Sequence, residues 1–138
     1  MVQTAAPVAT TDSTASPEVH PKILLVEDNE LYRKVVKKTM EMSGLDVLEA
    51  ENGLRGLESA RVDKPDLIMV DIYMPVMDGM AMLAELKKDE NLMGIPVIMV
   101  TNVQEELENA VKAGAEEAIL KSSLTPTQMV DVCRKHLS

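Results

Sequence analysis

Four apolar runs in this chain each end on a residue that can do chemistry. Ile23-Leu24-Leu25-Val26 runs into Glu27-Asp28, and Leu67-Ile68-Met69-Val70 into Asp71. Val97-Ile98-Met99-Val100 ends at Thr101, and Ala118-Ile119-Leu120 at Lys121. Carboxylates brought close together repel and raise one another's pKa. A hard divalent cation relieves that repulsion, and Mg²⁺, which takes oxygen ligands and keeps several waters, suits Glu27, Asp28 and Asp71 as a set. Lys121 offers a positive charge on a flexible stem, for a phosphate oxygen or for Asp71. Thr101 offers a hydroxyl donor. These groups suit phosphoryl transfer, where positioning and charge neutralisation do most of the work. Asp71 is the best nucleophile among them, because carboxylates form aspartyl phosphates.

Each residue also has a plainer explanation. Asp28 or Asn29 can cap a helix. Asp71 can be a turn residue before Tyr73-Met74-Pro75, Asp78-Gly79 is a common turn pair, and most lysines are solvated. Taken singly the plain explanation is favoured for every one of them. Taken together it is not, provided the fold brings these strand ends to one mouth.

The elements that must do this are legible as alternating patterns. Short apolar runs read as strands, with Asp46-Val47-Leu48 as a further one, and continuous apolarity points to strands covered on both faces of a parallel sheet. The intervening stripes read as helices: Leu31, Tyr32, Val35, Val36 and Met40; Leu54, Leu57 and Ala60; Met82, Leu83 and Leu86; Leu107, Ala110 and Val111; Met129, Val130, Cys133 and Leu137. Gly44 and Gly114 follow the first and fourth as left-handed caps. Thr125-Pro126-Thr127-Gln128 opens the last with a capping box and a proline at its first turn. Five βα units in series indicate an α/β domain, an open, doubly wound parallel sheet with five helices on its two faces; if the strand order is 2-1-3-4-5, strands 1, 3, 4 and 5 are consecutive neighbours. In such sheets ligands bind at the carboxyl ends of the strands, near the point where strand order reverses.

Composition narrows the classes further. The chain has 138 residues, 46% hydrophobic, which fits one domain with a real core. Acidic residues number 23 against 14 basic, for a net charge of −9, which argues against nucleic acid and anionic membrane as partners. No apolar run approaches the roughly 18 residues that span a bilayer. One cysteine, Cys133, precludes an internal disulfide and fits a reducing cytoplasm. It lies on an apolar stripe and reads as buried and inert. Trp and Phe are absent and Tyr32 and Tyr73 are the only aromatics, so base stacking is nearly excluded. Residues 1–21, rich in Ala, Thr, Ser and Pro, read as a disordered tail. Residues 22–138 form the folded domain. His20 and His136 receive no role, and Glu105-Glu106-Glu108 reads as a solvated helix face.

From Lys22 to Leu137 the chain resembles the receiver domain of two-component response regulators, a flavodoxin-like fold. The resemblance rests on Ile-Leu-Leu-Val-Glu27-Asp28-Asn29, on Pro65 through Asp71 to Met74-Pro75-Val-Met-Asp78-Gly79, on Pro96-Val-Ile-Met-Val-Thr101, and on Lys121. It implies Asp71 as phosphoacceptor. Glu27, Asp28 and Asp71 would hold Mg²⁺, with the backbone carbonyl of Tyr73. It also implies Thr101 as the switch hydroxyl, Lys121 as the phosphate contact, and a histidine kinase or phosphotransfer protein as donor. Output would pass through a protein partner at the surface of the fourth helix, fifth strand and fifth helix. Tyr73 and Val103, flanking the site, would slow attack by water and give a long-lived phosphoryl group.

Two positions depart from the family pattern. Ser122 stands where proline usually follows the lysine, so the Lys121-Ser122 bond is either trans in a rearranged loop or a costly cis bond. Ala118 stands where an aromatic switch residue is usual. These departures give some weight to a pseudo-receiver, a binding module without phosphoryl switching. A Mg²⁺-dependent aspartyl phosphohydrolase is a weaker rival, since its general acid would stand where this chain has Tyr73.

Overall fold

A computed structural model of the protein describes residues 20–137. The expected tail therefore lies, up to residue 19, outside the described residues. Five strands appear: β1 (Lys22–Val26), β2 (Asp46–Ala50), β3 (Leu67–Asp71), β4 (Val97–Thr101) and β5 (Glu117–Leu120). Five α-helices alternate with them: α1 (Glu30–Met42), α2 (Gly53–Asp63), α3 (Gly79–Lys88), α4 (Leu107–Lys112) and α5 (Pro126–His136). Short 3₁₀ turns at Gln104–Glu106 and Lys121–Ser123 lead into α4 and toward α5. The strands form one parallel sheet in the order β2-β1-β3-β4-β5. This is the order expected from the sequence, and the chain reverses direction across the sheet between β1 and β3.

Alternation within each strand feeds two cores. Leu24, Val26, Ile68, Val70, Val97 and Met99 point to one face, against Leu57 and Ala60 of α2, Met82, Leu83 and Leu86 of α3, and Ala110 of α4. Ile23, Leu25, Leu67, Met69, Ile98 and Val100 point to the other, against Val36 and Met40 of α1 and Met129, Val130 and Cys133 of α5. Burial of both faces explains why β1, β3 and β4 carry continuous apolar runs.

The helix stripes are narrower than their sequence pattern. Leu31, Val35, Leu54 and Val111 are exposed, while Val36, Met40, Leu57 and Ala60 are buried. Each helix covers the sheet through about one residue per turn, so the wider stripe overstates the contact.

The end signals behave as local chemistry dictates. Asn29 accepts from the Tyr32 amide and caps α1, Asn52 caps α2, and Asp78 caps α3. Thr125 and Gln128 form the reciprocal box on α5. Gly44 and Gly114 take the left-handed conformation, at φ 90 and 117. Cys133 is buried, which pushes its thiol up to about 12. The Lys121-Ser122 bond is trans, since the described residues contain no cis peptide.

Candidate functional site

Register brings the four strand ends together. Val26 pairs with Val70, Asp71 with Val100, and Thr101 with Leu120. Glu27 and Asp71 therefore stand level on adjacent strands, and Thr101 and Lys121 continue the same rim.

Glu27 is set by continuation of the ladder, its amide donating to the Ala50 carbonyl at 3.0 Å. Its residue is only 3% exposed. Such a carboxylate must be partnered, and it is: Oε1 lies 2.7 Å from Lys121 Nζ and Oε2 accepts from the Asn29 amide at 2.9 Å. Asp28 is exposed beside it, while the adjacent Asn29 does the helix capping. Asp71 closes β3 with its side chain 11% exposed, 3.5 Å from Lys121 Nζ. Glu27, Asp28 and Asp71 each offer a carboxylate oxygen, and these lie within 4.8 Å of one another.

The electrostatics follow from that crowding. Burial, then the charge of Glu27, lift the Asp71 carboxyl to about 6; Lys121 opposes them and Asp28 adds to them. Burial alone would depress the Lys121 ammonium. The hydrogen bond to Glu27 and the charges of Asp71 and Glu27 outweigh burial and raise it above the usual lysine range. An all-oxygen, triply anionic donor set open to solvent at Asp28 fits a hard divalent cation such as Mg²⁺, and fits a soft metal poorly.

Thr101 is fully buried at the end of β4, and its Oγ1 accepts from the Val103 amide at 3.1 Å. Tyr73, two residues beyond Asp71, turns its phenol outward to donate to Glu106 at 2.8 Å. That bond raises the Tyr73 pKa. It also ties the β3–α3 loop to the turn before α4, so Glu106 is more than a solvated face. The β3–α3 loop is held by close backbone approach. The Gly79 amide donates to the Ile72 carbonyl at 2.7 Å, and a Cβ at Gly79 would collide with the Asp71 carbonyl oxygen. Asp78-Gly79 is thus both a helix cap and a closure behind Asp71.

Three further residues belong to the site's frame. Arg33 Nη1 donates to the Glu27 carbonyl at 2.7 Å. Asn102 Oδ1 accepts from the Ser122 amide at 3.1 Å, linking the β4–α4 and β5–α5 loops. The Tyr32 ring lies under the Lys121 ammonium, 4.4 Å from centroid to nitrogen. Tyr32 looked like a core stripe residue, and only the scarcity of aromatics marked it out. His136, given no role, meets Glu117 at 2.7 Å.

Fold and site together define a class: a doubly wound parallel domain with an acidic, cation-ready pocket and a lysine at its switch point. Comparison with known proteins agrees. The model of the response regulator receiver domain family matches residues 23–134. The polar-differentiation response regulator DivK of Brucella anthropi is 34% identical over 116 residues, covering 83% of this chain and 94% of that protein. The chemotaxis response regulator CheY4 of Vibrio cholerae superposes with a TM-score of 0.80 at 25% identity, covering 86% of this chain and 100% of that one. The receiver domain of sensor histidine kinase PA1611 from Pseudomonas aeruginosa, solved with magnesium in its active-site cleft, gives 0.77 at 27% identity, covering 85% and 97%. The chain belongs to the response regulator receiver domain family of two-component signalling. No helix among the described residues is long and apolar enough to cross a membrane.

Proposed function

We propose that the domain accepts a phosphoryl group on Asp71 from a phosphohistidine of a histidine kinase or phosphotransfer protein. The observation that carries this is the meeting of three carboxylate oxygens within 4.8 Å with the Lys121 ammonium bridging two of the carboxylates. An Asp71 oxygen attacks phosphorus, the P–N bond to the donor imidazole breaks, and an acyl phosphate forms. Glu27, Asp28 and Asp71, with the Tyr73 backbone carbonyl, would hold Mg²⁺. When bound, the ion neutralises charge on the transferring group. Lys121 follows the negative charge to a phosphoryl oxygen. Thr101 hydrogen-bonds another, leaving its present place beside the Val103 amide. A carboxylate of charge −1 becomes a group near −2. The surface of α4, β5 and α5 then shifts population between two states for a protein partner. Tyr73 and Val103, at the rim, slow attack by water. The protein is a signalling switch in the cytoplasm and does no turnover beyond its own phosphorylation and slow dephosphorylation.

The test is intact mass after incubation with acetyl phosphate and Mg²⁺, for wild type and Asp71→Asn. One phosphoryl group gained by wild type alone supports the proposal. No gain in wild type would favour the pseudo-receiver, and gain in both would place the acceptor elsewhere.

A further inference from the structure

Lys121 has an aromatic partner that comes from α1. Its ammonium sits between Glu27 and Asp71 on one side and the ring of Tyr32 on the other, with the ring centroid 4.4 Å away. Tyr32 comes from the first turn of α1 and is anchored at its far end, where its hydroxyl meets Met129 Sδ of α5 at 3.3 Å. The ring forms a wall between two spaces. One is the small cavity beneath the site, lined with Glu27, Asp71, Val100 and Met129. The other is the open cleft lined with Asn29, Asn102, Lys121 and Ser122.

A bound cation and a phosphoryl group both compete for the carboxylates that now hold Lys121. The ring competes for neither, and its attraction for an ammonium survives both events. The backbone gives the lysine less guidance than a proline would, because Ser122 follows it in a trans 3₁₀ turn. On the other face of the sheet, at Ala118, there is no ring at all. We propose that Tyr32 is a positioning residue for Lys121: its ring face holds the ammonium at the mouth of the site while the lysine exchanges carboxylate for phosphoryl oxygen. The proposal rests on Asp71 as phosphoacceptor. It has a consequence for direction. Tyr32 touches Met129 in the core shared by α1 and α5, so movement of Lys121 is felt in that seam, on the face opposite Ala118.

The test compares Tyr32→Phe, which keeps the ring, with Tyr32→Leu, which removes it. Phosphorylation by acetyl phosphate with Mg²⁺ is followed by intact mass. The Phe variant should react like wild type and the Leu variant about three- to tenfold more slowly. In a Lys121→Ala background the Leu substitution should cost nothing further, since the cycle isolates the pair. A full loss persisting without Lys121 would assign Tyr32 a purely structural role and overturn the proposal, as would equal rates in Leu and wild type. A second measurement does not need phosphorylation. The Lys121 ε-methylene protons should resonate upfield in wild type and Tyr32→Phe through the ring current, and return to ordinary values in Tyr32→Leu. Failure of wild type to take phosphate with the upfield shift intact would reject the phosphoacceptor reading and leave the contact standing. Absence of the shift would reject the contact itself.

Discussion

Replacing Asp71 with asparagine should make the metal-free protein more stable. The native carboxyl is crowded by burial and by Glu27 and Asp28, and is lifted from 3.8 to about 6. A displacement of that size is worth about 3 kcal/mol. The site opens to solvent at Asp28, and screening reduces the effect to about 1–2 kcal/mol. For a domain of this size the thermal midpoint should rise by about 5 °C. The sign can be checked against pH. A carboxyl whose folded pKa is raised binds more protons when folded than when unfolded, so stability falls as pH rises between the two values. Its contribution is fully present below about 3.8 and is lost by the time pH passes about 6. Urea unfolding with chelator should therefore show wild type and Asp71→Asn converging near about pH 4 and diverging toward neutrality, with the variant the more stable. Added Mg²⁺ should reverse the order. A ligand at about one hundred times its Kd stabilises by about 2.7 kcal/mol, which exceeds the gap, and the variant offers a neutral amide in place of one of the three carboxylates that would bind it. Equal or lower metal-free stability of the variant at neutral pH would refute the claim that the site is electrostatically overloaded.

Thr101→Val keeps the shape of a fully buried side chain but strands the Val103 amide; it should cost about 1–2 kcal/mol in urea unfolding, and Thr101→Ser should recover most of that. Val76 holds a left-handed backbone, φ 72, in the exposed loop behind Asp71. Val76→Gly should stabilise by about 1 kcal/mol in the same assay. Glu49 is partly buried, which opposes its ionisation, yet hydrogen bonds from Arg33, Lys34 and Lys37 pull its carboxyl down to about 2. A lowered folded pKa gives stability that is present above the unfolded value of 4.5 and lost as pH falls toward about 2. The stability gap between wild type and Glu49→Gln should accordingly be largest at neutral pH and shrink below about pH 4.5.

The strand ends were legible because chemistry and architecture coincide there. A continuous apolar run must stop where the sheet stops, so the first polar residue after each run marks the rim. That placed Glu27, Asp71, Thr101 and Lys121 from sequence alone, and the parallel topology made their meeting a consequence of strand order. The caps at Asn29 and Thr125 were legible for a similar reason, since each involves residues three apart; Asp78 reads as a turn residue in sequence and caps α3 in the structure. What sequence could not supply was contact between distant helix faces. Tyr32 and Met129 are 97 residues apart, and nothing local says that one leans on the other. Leu31 and Val35 show the converse error. They fit the periodicity of α1 yet face outward, because periodicity fixes a stripe but not how much of it a neighbouring layer covers.

Lys121 shows why the site is poised. Its nearest partner is Glu27, at 2.7 Å, and Asp71 is the more distant at 3.5 Å. A buried carboxylate left without its cation costs several kcal/mol, so the lysine is committed first to Glu27. If Glu27, Asp28 and Asp71 held a divalent cation, as proposed, that neutralisation would pass to the ion and the ammonium would be freed. Still resting on the Tyr32 ring, the freed ammonium would be available to negative charge added at Asp71. Metal occupancy and lysine release would then be coupled through a single carboxylate, that of Glu27. Glu27→Gln, which removes the charge both cations need, should weaken Mg²⁺ binding and let Lys121 turn to Asp71 before any phosphoryl group arrives.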